Sequence, residues 1–367
     1  MSGIVRGMAF VLLAAPALGA EPSVQVLQEG LEHPWALAFL PAGQGLLITE
    51  RRGRLRLFQG GRLSEPLDGV PQVYARGQGG LLDVVLSPGF AQDRLVYLSY
   101  AESEADGEPA GTSVGRGRLS QDGLRLEGFH VIFRELPRLS SGTHFGSRLV
   151  FDGNGLLFIT LGDNSKRLTA QQLDKLQGKV VRLHADGSVP HDNPFVGRPD
   201  ARAQIWSYGH RNPQGAALNP WSGTLWIHEH GPRGGDEINI PAAGRNYGWP
   251  LATHGINYNL LPIPEATGKH LPGSEPPLYV WSQSLAVSGM AFYDHTRFAG
   301  WRRSLFIGAL ATGELVRLRL NGDTVVSEER LLGARGQRIR DVRVGPDGYL
   351  YLLTDSPRGQ LLKVGLD

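Results

Sequence analysis

Four short polar stretches hold the side chains best suited to chemistry. In SSGTHFGSRLVFD, His144 stands among small, flexible residues just ahead of an alternating apolar run. A neutral imidazole there has the basicity to take a proton near neutral pH, and it suits a packed residue satisfied by its neighbours equally well. In GHRNPQG, Arg211 and Asn212 precede Pro213. Either they cap a local turn, or they set a fixed guanidinium against a carbonyl or carboxylate. In GQRIRD, Arg338 and Arg340 flank Ile339, so both point to one side, toward solvent along a basic edge or toward a shared anion. In HEHGPRGGDEIN, His228 and His230 fall on one side of a strand with Glu229 between them, part of a zinc pattern. No third imidazole or thiolate has a zinc spacing, whereas Gly231, Pro232, Asp236 and Glu237 offer backbone and carboxylate oxygens suited to calcium.

These stretches lie far apart in the chain, so a repeated frame must gather them. Six segments share one grammar, among them WALAFLPAGQGLLITERRGRLRLF, SRLVFDGNGLLFITLGDNS and RDVRVGPDGYLYLLTDSPRGQLLKV. In each, an alternating apolar strand meets a turn rich in Pro, Asp, Asn or Gly, and a stronger apolar strand follows. The repeats recur at roughly fifty to seventy residues, the length of a four-stranded blade with functional loops, and this predicts a six-bladed β-propeller of antiparallel sheets. SVQVLQ near residue 23 is expected to pair with GQLLKV of the last repeat and so fasten the ring. One short helix is expected in LTAQQLDKLQGKVVRL, capped by Thr169 and stopped at Gly178. On one rim of such a ring, His144 opens the third repeat, Arg211 the fourth, Arg338 and Arg340 the sixth, and Gln78 in GQGGLLDV the second.

Composition agrees with a large all-β unit. Of 367 residues, 41% are hydrophobic, and the 50 glycines, well above ordinary usage, suit many tight turns. A net charge of +2 and the lack of any long Lys or Arg block argue against nucleic acid or a polybasic membrane anchor, and point to a small-molecule partner. Residues 1–20 read as a secretory signal: Arg6 precedes an apolar run from Met8 to Leu13, and small residues at Ala17, Gly19 and Ala20 form a cleavage pattern. The expected mature protein, residues 21–367, is then periplasmic or secreted without stable membrane insertion. With no cysteine, its stability rests on packing or bound metal.

THFGSRLVFD, GHRNPQGAALNP, HEHGPRGGDEINI, NYGWP and GQRIRDVRVGPDGYLYLLTD together resemble the soluble aldose sugar dehydrogenases that depend on pyrroloquinoline quinone (PQQ), within the wider glucose/sorbosone dehydrogenase family. The likeness runs from about the first repeat to the carboxyl end. It implies that His144 removes the proton of the sugar's anomeric hydroxyl while hydride moves to the quinone, and that Arg211 binds the quinone oxygens. It implies cofactor contacts from Gln78, Asn212, Arg338, Ile339 and Arg340, from Tyr258, and from Ala309, Leu310 and Ala311. It also implies an active-site calcium on the backbone oxygens of Gly231 and Pro232, and a structural calcium at Glu237 and the main chain near Tyr247. An aldose and an electron acceptor follow as partners.

Two positions depart from the pattern. Thr143 stands where soluble glucose dehydrogenases carry an aspartate, which predicts a broader sugar range and a base without charge assistance from that neighbour. Ala311 stands where related enzymes can place a lysine, which predicts weaker cofactor binding. A calcium-dependent propeller lactonase and a non-enzymatic exported binding propeller are the alternative readings. The trio Arg211, Arg338 and Arg340 favours the quinone, because a tricarboxylate explains three converging guanidiniums and a neutral lactone does not.

Overall fold

A computed structural model describes residues 21–104 and 109–366, so the expected signal segment lies outside the described residues. The strands form six four-stranded sheets, each antiparallel throughout. The innermost strands are Pro34–Phe39, Leu81–Leu86, Leu149–Phe151, Pro213–Leu218, Val287–Tyr293 and Ile339–Val344. Neighbouring inner strands touch in order, the last against the first, which makes the fold a six-bladed β-propeller. No helix among the described residues is long and apolar enough to cross a membrane.

Blades pack face to face because each sheet must bury both of its sides. Leu47, Leu55, Leu82 and Leu98 join blades one and two, and Trp226, Ile238, Leu305 and Ile307 join blades four and five. The last joint is covalently discontinuous. Ser23–Leu31 runs antiparallel to Gly359–Gly365, with Val24 opposite Val364, so the amino-terminal strand completes blade six as expected. Leu31, Leu37, Ile48, Leu353 and Leu361 then close the core between blades six and one.

The expected helix is replaced by a single 3-10 turn, Arg167–Gln171. The Thr169 hydroxyl donates to the Lys166 carbonyl instead of capping a helix. An α-helix needs the Thr169 and Ala170 carbonyls to accept from N–H groups four residues on. Here both accept from the Lys179 ammonium, and Gln172 N–H reaches back only three residues to Thr169.

The axis is held by charge. Arg148, 2% exposed, lies 2.9 Å from Asp341 and 3.4 Å from Asp83, both fully buried. Its Nε donates to the Gln214 carbonyl at 2.7 Å, and its guanidinium lies 4.2 Å from the Trp35 ring centroid. Asp83 accepts from Leu149 N–H and Asp341 from Leu37 N–H. Inner strands of blades one, two, three, four and six thereby meet at one cluster. Blade five fits because Gly289 has no side chain: a Cβ there would stand 2.4 Å from an Asp341 oxygen. Burial pushes the Asp83 carboxyl up and Asp341 adds to that, while Arg148 and Arg343 oppose it. Arg343 also reaches both acids, at 3.0 Å each. Replacing Arg148 by Met removes the more deeply buried of these two cations and is expected to cost about 3–5 kcal/mol, read from the urea midpoint. A loss below about 1 kcal/mol would show that the ring does not need this cluster.

Candidate active site

His144 sits five residues before the inner strand of blade three with φ of 54°, a left-handed conformation rare for a residue with a side chain. Its N–H donates to Gln78 Oε1 at 2.8 Å, and its carbonyl accepts from the Asn164 side chain at 3.2 Å. Gly162 makes the approach possible, since a Cβ there would stand 1.8 Å from the His144 carbonyl oxygen. The ring Nδ1 lies 2.7 Å from Asp163 Oδ1. Asp163 Oδ2 accepts from the Trp249 indole at 2.8 Å, and Oδ1 also accepts from Ser165 N–H. Burial works to raise the Asp163 carboxyl, yet His144, Arg211 and Trp249 together hold it below the usual carboxylate range. An ionised carboxylate can only accept, so Nδ1 carries a proton, and in the neutral ring the lone pair is then on Nε2. The charge assistance that Thr143 lacks therefore comes from Asp163, in the GDNS tip nineteen residues on.

The imidazole lines a cleft of about 550 Å³ together with Asp163, Arg211, Trp249 and Tyr258. Tyr258 is 72% exposed. The opposite wall is the segment Lys166 to Thr169. Arg211 is fixed from behind. Its N–H donates to Glu229 Oε2 at 2.5 Å, its guanidinium to the His230 carbonyl at 3.1 Å, and its cation stands 5.4 Å from the Trp249 ring centroid. Glu229 is held in turn by His210 Nδ1 at 2.9 Å.

Arg338 and Arg340 share one side, as their alternation requires, and both reach Asp355 Oδ2, at 3.0 and 3.3 Å. With Arg51, Gln78, Trp35 and Leu310 they line a second cavity of about 140 Å³. Arg211 faces the first cavity, and Arg51 joins Arg338 and Arg340 in the second. The segment from His144 to Gly146 divides them, contributing to both. Three guanidiniums against the single carboxylate of Asp355 leave the second cavity positive. The Nε atoms of Arg340 and Arg51 are buried without a partner, and burial brings Arg340 down to about 10. Asn212, 1% exposed, spends its Oδ1 on Gly146 N–H and the Gln214 amide, so it shapes the wall between the cavities. Ala309 and Ile339, 0% and 2% exposed, belong to the cores of blades five and six, because strand alternation turns them away from the neighbouring Leu310 and the two arginines. Ala311 is exposed and lines neither cavity.

Beside Arg211, Gly231, Glu229, Glu237 and Tyr247 border a small cavity of about 20 Å³. Asp236 is withdrawn from any ligand set, since its oxygens accept from Gly231 N–H, the Ser284 hydroxyl and Leu285 N–H. His230 donates from Nε2 to the Val287 carbonyl at 2.6 Å, and His228 is fully buried beneath Gly215. Neither is a zinc ligand, and no group of three or more His, Asp or Glu among the described residues has metal geometry. Glu237 is different. Burial and the nearby Glu229 push its carboxyl up to about 8, and no ion pair serves it among the described residues. The buried carbonyls of Gly231, Pro232 and Tyr247 accept no hydrogen bond within the described protein. Asp163, Glu229, Asp355, Trp249 and Arg51 were not singled out from sequence; only their positions beside GDNS, HEHG, TDSP, NYGWP and TERRG hinted at them.

Residues 31–363 match the model of the glucose/sorbosone dehydrogenase family. The chain is 60% identical over 354 residues to the aldose sugar dehydrogenase YliI of Escherichia coli, covering 96% of this chain and 94% of that protein. The apo crystal structure of the soluble aldose sugar dehydrogenase of E. coli superimposes with a TM-score of 0.92, over 94% of this chain and 100% of the other. The PQQ-bound form of the aldose sugar dehydrogenase of Streptomyces coelicolor, 29% identical, matches with a TM-score of 0.76 over 94% and 99% of the two chains. Taken with the propeller and its rim of polar groups, these likenesses show that the chain belongs to the glucose/sorbosone dehydrogenase family of oxidoreductases.

Proposed function

We propose that the protein oxidises aldose sugars at the anomeric carbon to lactones, using PQQ and calcium, with His144 as general base. The observation that carries this reading is the His144–Asp163 pair: a bare Nε2 faces an open cleft while a buried carboxylate holds the opposite nitrogen. Gln78, Arg51, Arg338 and Arg340 would hold the anionic cofactor, whose carboxylates match the excess positive charge and the unpartnered Nε atoms of that cavity. The free carbonyls of Gly231 and Pro232 are hard oxygen donors that would hold an active-site calcium, and Glu237 with the Tyr247 carbonyl would hold a second, structural one. When bound, the quinone supplies an acceptor for the hydride of the anomeric carbon, and a calcium ion beside it supplies a Lewis acid.

The chain's own residues do the rest. His144 Nε2 takes the proton of the anomeric hydroxyl as the C–H electron pair leaves, and the oxygen closes to the lactone carbonyl. Asp163 fixes the tautomer and stabilises the imidazolium that forms. Arg211, locked by Glu229, His230 and Trp249, presents positive charge where negative charge grows. The indole of Trp249 keeps Asp163 aligned. Export to the periplasm or medium belongs to the same proposal and rests on residues 1–20.

Purified apoprotein given calcium and PQQ is expected to bleach a redox dye when an aldose is added; no bleaching with any aldose would overturn the reading. His144→Ala is expected to lower kcat by roughly 10²–10⁴ with the PQQ Kd unchanged, and Asp163→Asn to fall in the same range because the wrong tautomer is then favoured. Full turnover in His144→Ala removes it as the base. Calcium at a hundredfold excess over its Kd is expected to stabilise the chelator-stripped protein by about 2.7 kcal/mol in thermal or urea unfolding. Glu237→Gln should reduce that gain by removing the structural site, and an equal gain in the variant would exclude Glu237 as a ligand.

A further inference from the structure

Between the second and third strands of blade three, the chain leaves the sheet at Leu161 and returns at Lys179. This excursion brings Asp163 to His144 and supplies Lys166, Arg167, Leu168, Thr169 and Gln172 to the cleft wall. Its stem is pinned, with Gly178 N–H on the Gly162 carbonyl at 2.8 Å and Leu161 N–H on the Lys179 carbonyl at 2.8 Å. Asp163 is secured separately by His144 and Trp249. Within the wall the backbone bonds are three-residue turns, at Lys166, Thr169 and Gln172, and such 3-10 bonding is weak. Its outside ties include Gly209 N–H on the Ala170 carbonyl and the side chains of Gln171, on Asn246 and Trp249, and Arg167, on Asn257.

Lys179 stands behind that wall, 0% exposed. Its ammonium donates to the carbonyls of Thr169 at 2.9 Å, Ala170 at 3.0 Å and Gln177 at 2.7 Å. An ammonium has three donors, and all three are spent on this one excursion. Among the described ion pairs none includes Lys179; the carboxylate acting on it, Glu135, is itself 1% exposed, and its Oε1 has no hydrogen-bond partner. Burying a charge without a close counter-ion is costly, and an apolar side chain would fill the same space at less cost. What the ammonium adds is a junction that ties the Thr169 and Ala170 carbonyls of the wall to the Gln177 carbonyl at the returning stem.

Resting on the proposed aldose oxidation, we propose that Lys179 is a positioning residue: its three-carbonyl clamp fixes the sugar-facing wall from Lys166 to Gln172 and thereby sets sugar affinity. Because Asp163 has its own supports, the clamp acts on binding rather than on the proton-transfer step.

The test compares wild type with Lys179→Met, first as apoprotein by amide hydrogen exchange. Protection at residues 166–172 is expected to fall at least about tenfold while the inner strands of all six blades exchange unchanged. With calcium and PQQ, the aldose KM is expected to rise about tenfold while kcat stays within about threefold and PQQ affinity is unchanged. Unaltered exchange at the wall, or an equal rise in exchange across every blade, overturns the proposal, as does a kcat loss without a KM change. Should Lys179→Met fail to fold, Lys179→Leu, which offers no donor, is read by the same criteria. A wild type that oxidises no aldose would sink the proposed function, and the exchange measurement would still decide the clamp.

Discussion

Arg148 is the point on which the ring depends. One guanidinium, sealed at the axis between Asp83 and Asp341, reaches a carbonyl of blade four and the face of Trp35 in blade one. A propeller whose inner strands approach so closely cannot leave two buried acids facing one another, and the low dielectric of the axis magnifies both their repulsion and the attraction of the cation. The cluster therefore does more than join sheets. Gln214 and Arg340, whose carbonyls Arg148 holds, and Trp35, beneath its guanidinium, line the positive cavity above it, so the floor of that cavity is set by the same ion cluster.

Above this floor the rim divides the work by charge and exposure. The cleft around His144 is open and carries a proton acceptor with a hidden acid behind it. The cavity around Arg338 and Arg340 is narrow and positive. The pocket at Glu237 holds an acid that burial and Glu229 keep from ionising readily, with uncommitted carbonyls around it. Imidazole, positive cavity and buried-acid pocket lie side by side, and the proposed oxidation of a sugar by an anionic cofactor rests on that arrangement. Each is supported from behind by a second layer: Trp249 for Asp163, His210 for Glu229, and His33 for Asp355 at 3.0 Å. Such supports narrow the reachable geometries of the acting side chains, which is the usual source of catalytic precision.

Strand periodicity is local, and the sequence carries it in full. The six repeats, the closure of Ser23–Leu31 on Gly359–Gly365, and the shared side of Arg338 and Arg340 follow from alternation and turn chemistry alone. His144, Arg211 and Gln78 could be placed on one rim for the same reason. The helix expected from Thr169 to Gly178 failed because its first two carbonyls, of Thr169 and Ala170, bond Lys179, one residue past the Gly178 stop.

By itself, then, the sequence determined the propeller and the loops that carry polar groups, since each depends on residues within one blade's length. It also determined the fastening, since an incomplete last repeat needs the one spare strand at the amino-terminal end. Only the tertiary structure decided which acid orients His144, that Arg51 lines one cavity with Arg338 and Arg340, and that Asp236 is spent on its own loop while Glu237 has the Asn239 amide and no ion pair among the described residues. Those outcomes depend on distances between blades of a few ångströms, and a pattern along the chain has no means of expressing a distance across the ring.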